Sequence, residues 1–342
     1  MKKIIVTVAF LGLMGIIIYY SVSFIREFTA GSRLDGYDVE ITIPEGSTAK
    51  AIAGILREKD VIRYERAFLM KLNGSEHRDA LQKGTFVVNT GMTLDQIIAT
   101  LTTGGDPRET VTVTFPEGYS IEQMGPVLEA SGVCKAKSFY RAANQLDYDY
   151  EFVKQIPKDL DVKYLLQGYL YPDTYDFYLD ASGEEVVERM LTNFDAHLPK
   201  NIYDVATTKE LSVYQIVTMA AMVEKEAKVA EEKKTIAGVF YNRIKAQMPL
   251  QIDATVVYAV TDGSYQLDND EGIVTYDDLE NDSLYNTYKY PGLPVGPICN
   301  PDQGCIEAVL SPEEHNYLYY RTTGEEDGSH TFSETFSEHT QW

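Results

Sequence analysis

Glu224 and Glu226 stand at the end of a run that is otherwise apolar: Val217, Met219, Ala220, Ala221, Met222 and Val223. A carboxyl group left poorly hydrated there loses solvation that favours its ionised form, so its pKa rises. A carboxylic acid still protonated near neutral pH can donate a proton to the leaving oxygen of a glycosidic bond. Ala220, Ala221 and Val217, one and two helical turns before Glu224, are small enough to leave room for a ligand. Met219, Met222 and Val223 back Glu226. Spacing alone does not choose between the two, and Lys225 or Lys228 could pair with either as an ordinary surface residue.

Such a helix needs a defined start. Ser212 and Gln215 have the spacing of a capping box, and Leu211 and Ile216 that of the hydrophobic staple. The helix that follows is apolar nearly all round, which predicts burial. A chain of 342 residues, 44% hydrophobic and 11% aromatic, has material for that core and reads as two domains.

Residues 4–24 carry no charge. About 20 such residues cross a bilayer, and the run exceeds the 7–15 apolar residues of a signal peptide. Lys2 and Lys3 before it favour a cytoplasmic N-terminus. The small residues Ser21-Val22-Ser23 are the competing cleavage signal. Residues 1–28 are therefore expected to be a cytoplasmic tip and transmembrane helix, with the rest exported. A net charge of −22 argues against nucleic-acid binding, which rests on Lys and Arg displacing counterions. Cys299 and Cys305 are close enough to bridge in an exported protein, with three buried free thiols as the alternative.

A pattern then occurs twice: Val39-Glu40-Ile41-Thr42-Ile43-Pro44-Glu45-Gly46 before a helical stretch, and Val111-Thr112-Val113-Thr114-Phe115-Pro116-Glu117-Gly118 before another. Alternation predicts half-buried strands, and each Pro-Glu-Gly a turn. Thr85-Phe86-Val87-Val88 and residues 93–101 add a strand and a helix. Small units of this kind resemble LysM modules, which bind N-acetylglucosamine-containing glycans; a platform without sugar affinity is the plainer reading. The expected class is α+β: the anchor, a LysM-like small α/β subdomain at 37–120, and a mixed α+β catalytic domain at 121–342.

Further landmarks surround the glutamates. Gly168-Tyr169-Leu170-Tyr171-Pro172-Asp173-Thr174-Tyr175 precedes them; Val239-Phe240-Tyr241-Asn242-Arg243 and Leu250-Gln251-Ile252-Asp253 follow. Then come Tyr285-Asn286-Thr287-Tyr288, Gly292-Leu293-Pro294, Gly296-Pro297-Ile298-Cys299-Asn300-Pro301, Gly328-Ser329-His330-Thr331-Phe332 and Glu338-His339. In this order, with Val223-Glu224-Lys225-Glu226, they resemble the endolytic murein transglycosylase, or YceG-like, family over residues 39–339. The resemblance implies a lyase that cuts the β-1,4 bond after N-acetylmuramic acid in nascent strands, limiting their length. The sugar's own C6 hydroxyl attacks C1 and leaves a 1,6-anhydro end, with no cofactor and no metal. It implies Glu224 as the catalytic acid/base. It also implies a substrate cleft of Gln251, Asp253, Asn286, Thr287, Tyr288, His330, Glu338 and His339. Alanine at 254, isoleucine at 252 and leucine at 284 depart from the family pattern.

Plainer roles compete. Asp253 could cap the helix at 254–260, and Asn286 could close a turn. His330 and His339 lack the spacing of a metal site. Besides the membrane, the resemblance implies peptidoglycan and cell-wall synthases of the penicillin-binding class as partners. The competing functions are a non-catalytic, membrane-anchored peptidoglycan-binding protein, and an exported hydrolase using water with Asp253 or Glu226 as second carboxylate.

Overall fold

The computed structural model describes residues 22–28, 36–75, 77–78, 80–103, 109–268, 273–324 and 327–341. Of the expected cytoplasmic tip and membrane anchor, residues 1–28, only the last seven are described. Among the described residues no helix is long and apolar enough to cross a membrane.

The chain forms two compact units, Met1–Glu109 and Thr110–Trp342. In the first, β1 (Asp38–Ile43), α1 (Ala49–Glu58), α2 (Glu65–Asn73) and β2 (Gly84–Asn89) follow in order, with α3 (Leu94–Thr102) after them. β1 and β2 pair antiparallel, Ile41 opposite Phe86. The alternation in β1 turns Ile41 and Ile43 inward against Ile52, Leu56, Phe68 and Leu72 of the helices. Residues 22–28 are helical and belong to this packing. Phe24 and Phe28 lie against the same core. Glu27, 1% exposed, accepts from the backbone N–H groups of Arg63 and Tyr64 at 2.9 and 3.0 Å.

The boundary falls at 109/110 rather than at 120, because the second Pro-Glu-Gly strand does not pair with the first unit. β3 (Thr110–Thr114) pairs antiparallel with β4 (Thr174–Tyr178), Val113 opposite Tyr175. The two similar strand-turn-helix stretches therefore serve different sheets. Around β3 and β4 lie α4 (Ile121–Ala130), α5 (Ala136–Ala142), α6 (Glu151–Lys154), α7 (Gly183–His197) and α8 (Ile202–Thr208).

The predicted buried helix is α9 (Val213–Glu226), and its capping box is formed: the Ser212 side chain accepts from Gln215 N, and Gln215 from Ser212 N. Every residue from Val213 to Val223 except Gln215 is buried. It packs against α8, α10 (Lys233–Lys245), α11 (Asp253–Val260) and α13 (Gln303–Leu310). A short helix α12 (Tyr276–Leu279) precedes the Tyr285–Tyr288 motif. β5 (Tyr319–Thr322), β6 (His330–Ser333) and α14 (Phe336–His339) end the chain, with Thr322 opposite His330. The architecture is mixed α+β, with two-stranded sheets only among the described residues.

Candidate active site

Two residues of helix turn through roughly 200°, so Glu224 and Glu226 leave α9 on opposite faces. Glu224 faces the start of α13. Its Oε2 accepts from Asp302 N at 2.9 Å. Asp302 caps α13 by accepting from Cys305 N at 2.7 Å, and takes an ion pair from Lys233 at 2.7 Å. Glu224, Asp302 and Cys305 bring one ligand atom each within 4.8 Å of one another, and the cation beside them is the Lys233 ammonium. The turn at Gly118 closes over Glu224: at φ +74 it has no side chain, and a Cβ there would stand 3.4 Å from Glu224 Cγ. Burial pushes the Glu224 carboxyl up, partly offset by the Asp302 N–H.

Glu226 faces the other way, and its Oε2 accepts from Tyr320 OH at 2.8 Å. Burial raises its pKa; the Tyr320 bond opposes that and the Asp253 carboxylate adds to it. Asp253 in turn accepts from Tyr288 OH at 2.5 Å. The His330 ring meets Tyr320 edge-on, centroids 5.5 Å apart. The structure thus gathers Asp253, Tyr288 and His330 about Glu226 and not about Glu224.

The other expected cleft residues divide. Gln251 is exposed, two residues before the helix that starts at Asp253, in the left-handed region at φ +51. Asn286 is fully buried, and its Nδ2 donates to Leu279 O and Asn281 O at 2.8 and 2.9 Å. It closes a turn. Thr287 is also buried; its Oγ1 accepts from Ile252 N at 2.9 Å and its carbonyl from Gln251 N at 3.1 Å. It positions the Gln251–Asp253 segment without facing solvent. Asp253 is not a cap: Ile252 occupies that position, and the Asp253 carboxylate is engaged by Tyr288. Glu338 completes the capping box of α14 with Thr335, and those bonds hold its carboxyl below the usual range. His339 stacks on Tyr319 at 5.4 Å.

Arg243 and Asn300, whose motifs carried no assigned role, complete the assembly. Arg243 is 8% exposed; it donates to Leu318 O at 2.6 Å and Leu250 O at 2.7 Å, joining α10 to β5 and to the Gln251 segment. Asn300, fully buried, accepts from Gly168 N and Leu170 N at 2.9 and 3.0 Å and donates to Tyr119 O. It ties three of the sequence landmarks together. All three cysteines are free and buried, so Cys299 and Cys305 do not bridge. Cys299 instead donates to Ala221 O at 3.2 Å.

The YceG-like family model matches residues 41–342. An endolytic murein transglycosylase of Bacillus subtilis is 36% identical over 315 residues, 88% of this chain and 82% of that protein. One of Streptococcus pneumoniae is 30% identical over 299 residues, 82% of this chain but only 54% of the longer relative. A solved structure of a YceG-like protein from Listeria monocytogenes superposes with a TM-score of 0.57 at 33% identity, covering 89% of this chain and 99% of that one. With its family match running through both units, this chain belongs to the YceG-like family.

Proposed function

We infer that the chain is an endolytic murein transglycosylase, a lyase of peptidoglycan glycan strands, and that Glu226 is its acid/base. The observation that carries the second part is the convergence of Asp253, Tyr288, Tyr320 and His330 on Glu226 at the end of the buried helix. Glu224, to which the family pattern points, instead accepts from Asp302 N, with Cys305 and the Gly118 turn beside it. Its role is to hold α13 and that turn to the end of α9.

With Oε2 engaged by Tyr320, Glu226 offers its other oxygen to the glycosidic bond between N-acetylmuramic acid and N-acetylglucosamine. The protonated carboxyl gives its proton to the leaving oxygen as the C1–O bond breaks. The carboxylate so formed takes the proton of the C6 hydroxyl, whose oxygen bonds to C1 and closes the 1,6-anhydro ring. One carboxyl returns to its starting state, no water is consumed, and general acid–base help of this kind contributes roughly 10²–10⁴-fold. Gln251, exposed near Asp253, and Tyr288, bonded to it, bind sugar hydroxyls in this reading.

The uncharged run at residues 4–24 anchors the chain in the membrane with its N-terminus in the cytoplasm. The β-α-α-β unit at its outer side holds N-acetylglucosamine-containing strands in the manner of a LysM module. Nascent strands place the enzyme beside synthases of the penicillin-binding class. Support for these three statements comes from the sequence pattern, the order of elements in the first unit and the family.

The test is product mass. Purified peptidoglycan digested with the wild-type chain should give anhydro-ended muropeptides, one water lighter than hydrolytic products. Glu226→Gln should abolish them, and Glu224→Gln should retain them at any temperature where it stays folded. Reducing ends from the wild type would mean a hydrolase; an inert wild type would mean a binding protein; the opposite behaviour of the two variants would return the acid to Glu224.

A further inference from the structure

Glu232 closes the 3-10 turn Ala230–Glu232 that follows α9. Its Oε1 accepts from His330 N at 2.9 Å and its Oε2 faces His330 Nδ1 at 2.7 Å. Both side chains are well shielded, 15% exposed for Glu232 and 6% for His330. A carboxylate has no hydrogen to give, so the nitrogen facing it carries the N–H. In a neutral imidazole the lone pair then lies on Nε2. Nε2 has no hydrogen-bond partner among the described residues and is not a sealed, unpaired atom. The hairpin bearing His330 is seated on the segment leaving α9: a Cβ on Gly328 would lie 2.8 Å from Lys228 Cβ. The ring then stands against Tyr320, the residue bonded to Glu226.

We propose that Glu232 is a positioning residue: its double grip on His330 holds the imidazole with Nε2 toward the glycan, where Nε2 accepts a hydrogen bond from a sugar hydroxyl. This rests on the reading of Glu226 as the acid, since it places His330 at the same substrate. The device has the logic of a histidine held by a carboxylate in other active sites, where the carboxylate selects the tautomer. Here the histidine binds, and the carboxylate makes it an acceptor rather than a donor.

Two measurements on the full-length chain in detergent test it. Nitrogen-15 spectra of histidine-labelled protein, with His330→Gln identifying the resonance, should show the Nδ1–H tautomer in the wild type and loss of that preference in Glu232→Gln. Kinetics on purified peptidoglycan should show KM rising roughly fivefold in either variant, with kcat changed less, as expected for one lost neutral hydrogen bond to substrate. The double variant should be no worse than His330→Gln alone. An Nε2–H tautomer in the wild type overturns the proposal without any variant having to fold, and so does an unchanged KM or multiplicative losses. Full activity in Glu226→Gln would sink the acid assignment instead, leaving the tautomer result to stand on its own.

Discussion

Glu224 and Glu226 are two residues apart on one helix, yet the first accepts from Asp302 N at 2.9 Å and the second from Tyr320 OH at 2.8 Å. Burial raises both carboxyl pKa values. Their partners separate them. A backbone N–H that also begins a helix is a structural partner. A phenol that stands edge-on to a histidine suits proton transfer to a ligand.

Tyr320→Phe should therefore change the pH dependence and not only the rate. Glu226 must be protonated to act, so activity falls as pH rises through its pKa, which burial has moved above the ordinary glutamate value. The Tyr320 hydrogen bond favours the carboxylate and lowers that pKa. Removing the phenol oxygen removes the lowering, so the alkaline limb of kcat should move to higher pH. A limb that stays in place or moves down would mean that Glu226 is not the group titrating. The sign for stability is the reverse of a salt-bridged acid's. A raised pKa lends its stability at low pH, and that stability is lost as pH rises from the unfolded value through the folded one.

Asn286→Ala tests whether the Tyr285–Tyr288 motif binds sugar through its amide. The side chain is fully buried and spends its N–H groups on Leu279 O and Asn281 O. Its loss leaves two half-buried carbonyls without that donor, a cost of about 1 kcal/mol. Denaturant unfolding should show that cost, while KM at a temperature where the variant is folded should stay within about twofold. A large KM effect without loss of stability would restore Asn286 to the substrate site.

Much of this was legible in the chain itself. The capping box at Ser212 and the unbroken apolar run located α9 and its burial, because both are local features that tertiary contacts reinforce. Asp253, Tyr288 and His330 stand in motifs visible in the sequence, and the structure brings them near Glu226 and Tyr320. The choice between Glu224 and Glu226 was not legible, because it depends on what packs on each face. Those partners, Asp302 and Tyr320, are 78 and 94 residues further along. The pairing of β3 with β4 was hidden for the same reason: a short strand shows its alternation but not its partner. The strand pattern occurs twice, Pro-Glu-Gly included, but only the first copy stands in a β-α-α-β order.

Lys233→Met should destabilise the protein by about 3 kcal/mol. The Lys233–Asp302 pair is 14% and 18% exposed at 2.7 Å. Breaking a buried pair strands the remaining charge, at a cost larger than the pair's own net contribution. Burial alone would raise the Asp302 pKa, but the Lys233 ammonium and the Cys305 N–H bring it below its ordinary value. A depressed folded pKa means stability that is present above the unfolded value and lost as pH falls through the folded one. The wild type should therefore lose stability on acidification below about pH 4. Lys233→Met should lose less over that range, having already forfeited the pair. Equal acid sensitivity in the two proteins would show that the pair is not what holds Asp302 ionised.

Gly168→Ala tests the loop that Asn300 holds. Gly168 has φ +94, where an L side chain is strained. A Cβ there would lie 2.7 Å from Pro297 and from Val217 Cγ1. Val217 sits inside α9 and cannot yield without moving the helix, and Pro297 belongs to a loop fixed by Asn300. Backbone strain and overpacking together should cost about 3 kcal/mol. Because Asn300 grips Gly168 N and Leu170 N, a shifted Gly168 also disturbs the residue that ties the Gly118 turn to α13's approach. Thermal melting should fall by several degrees. Activity should fall through kcat at temperatures where the variant is folded, since the displaced element is the helix that carries Glu226. A variant that melts like the wild type would show that the Pro297 loop gives way instead, and that the end of α9 is held independently of it.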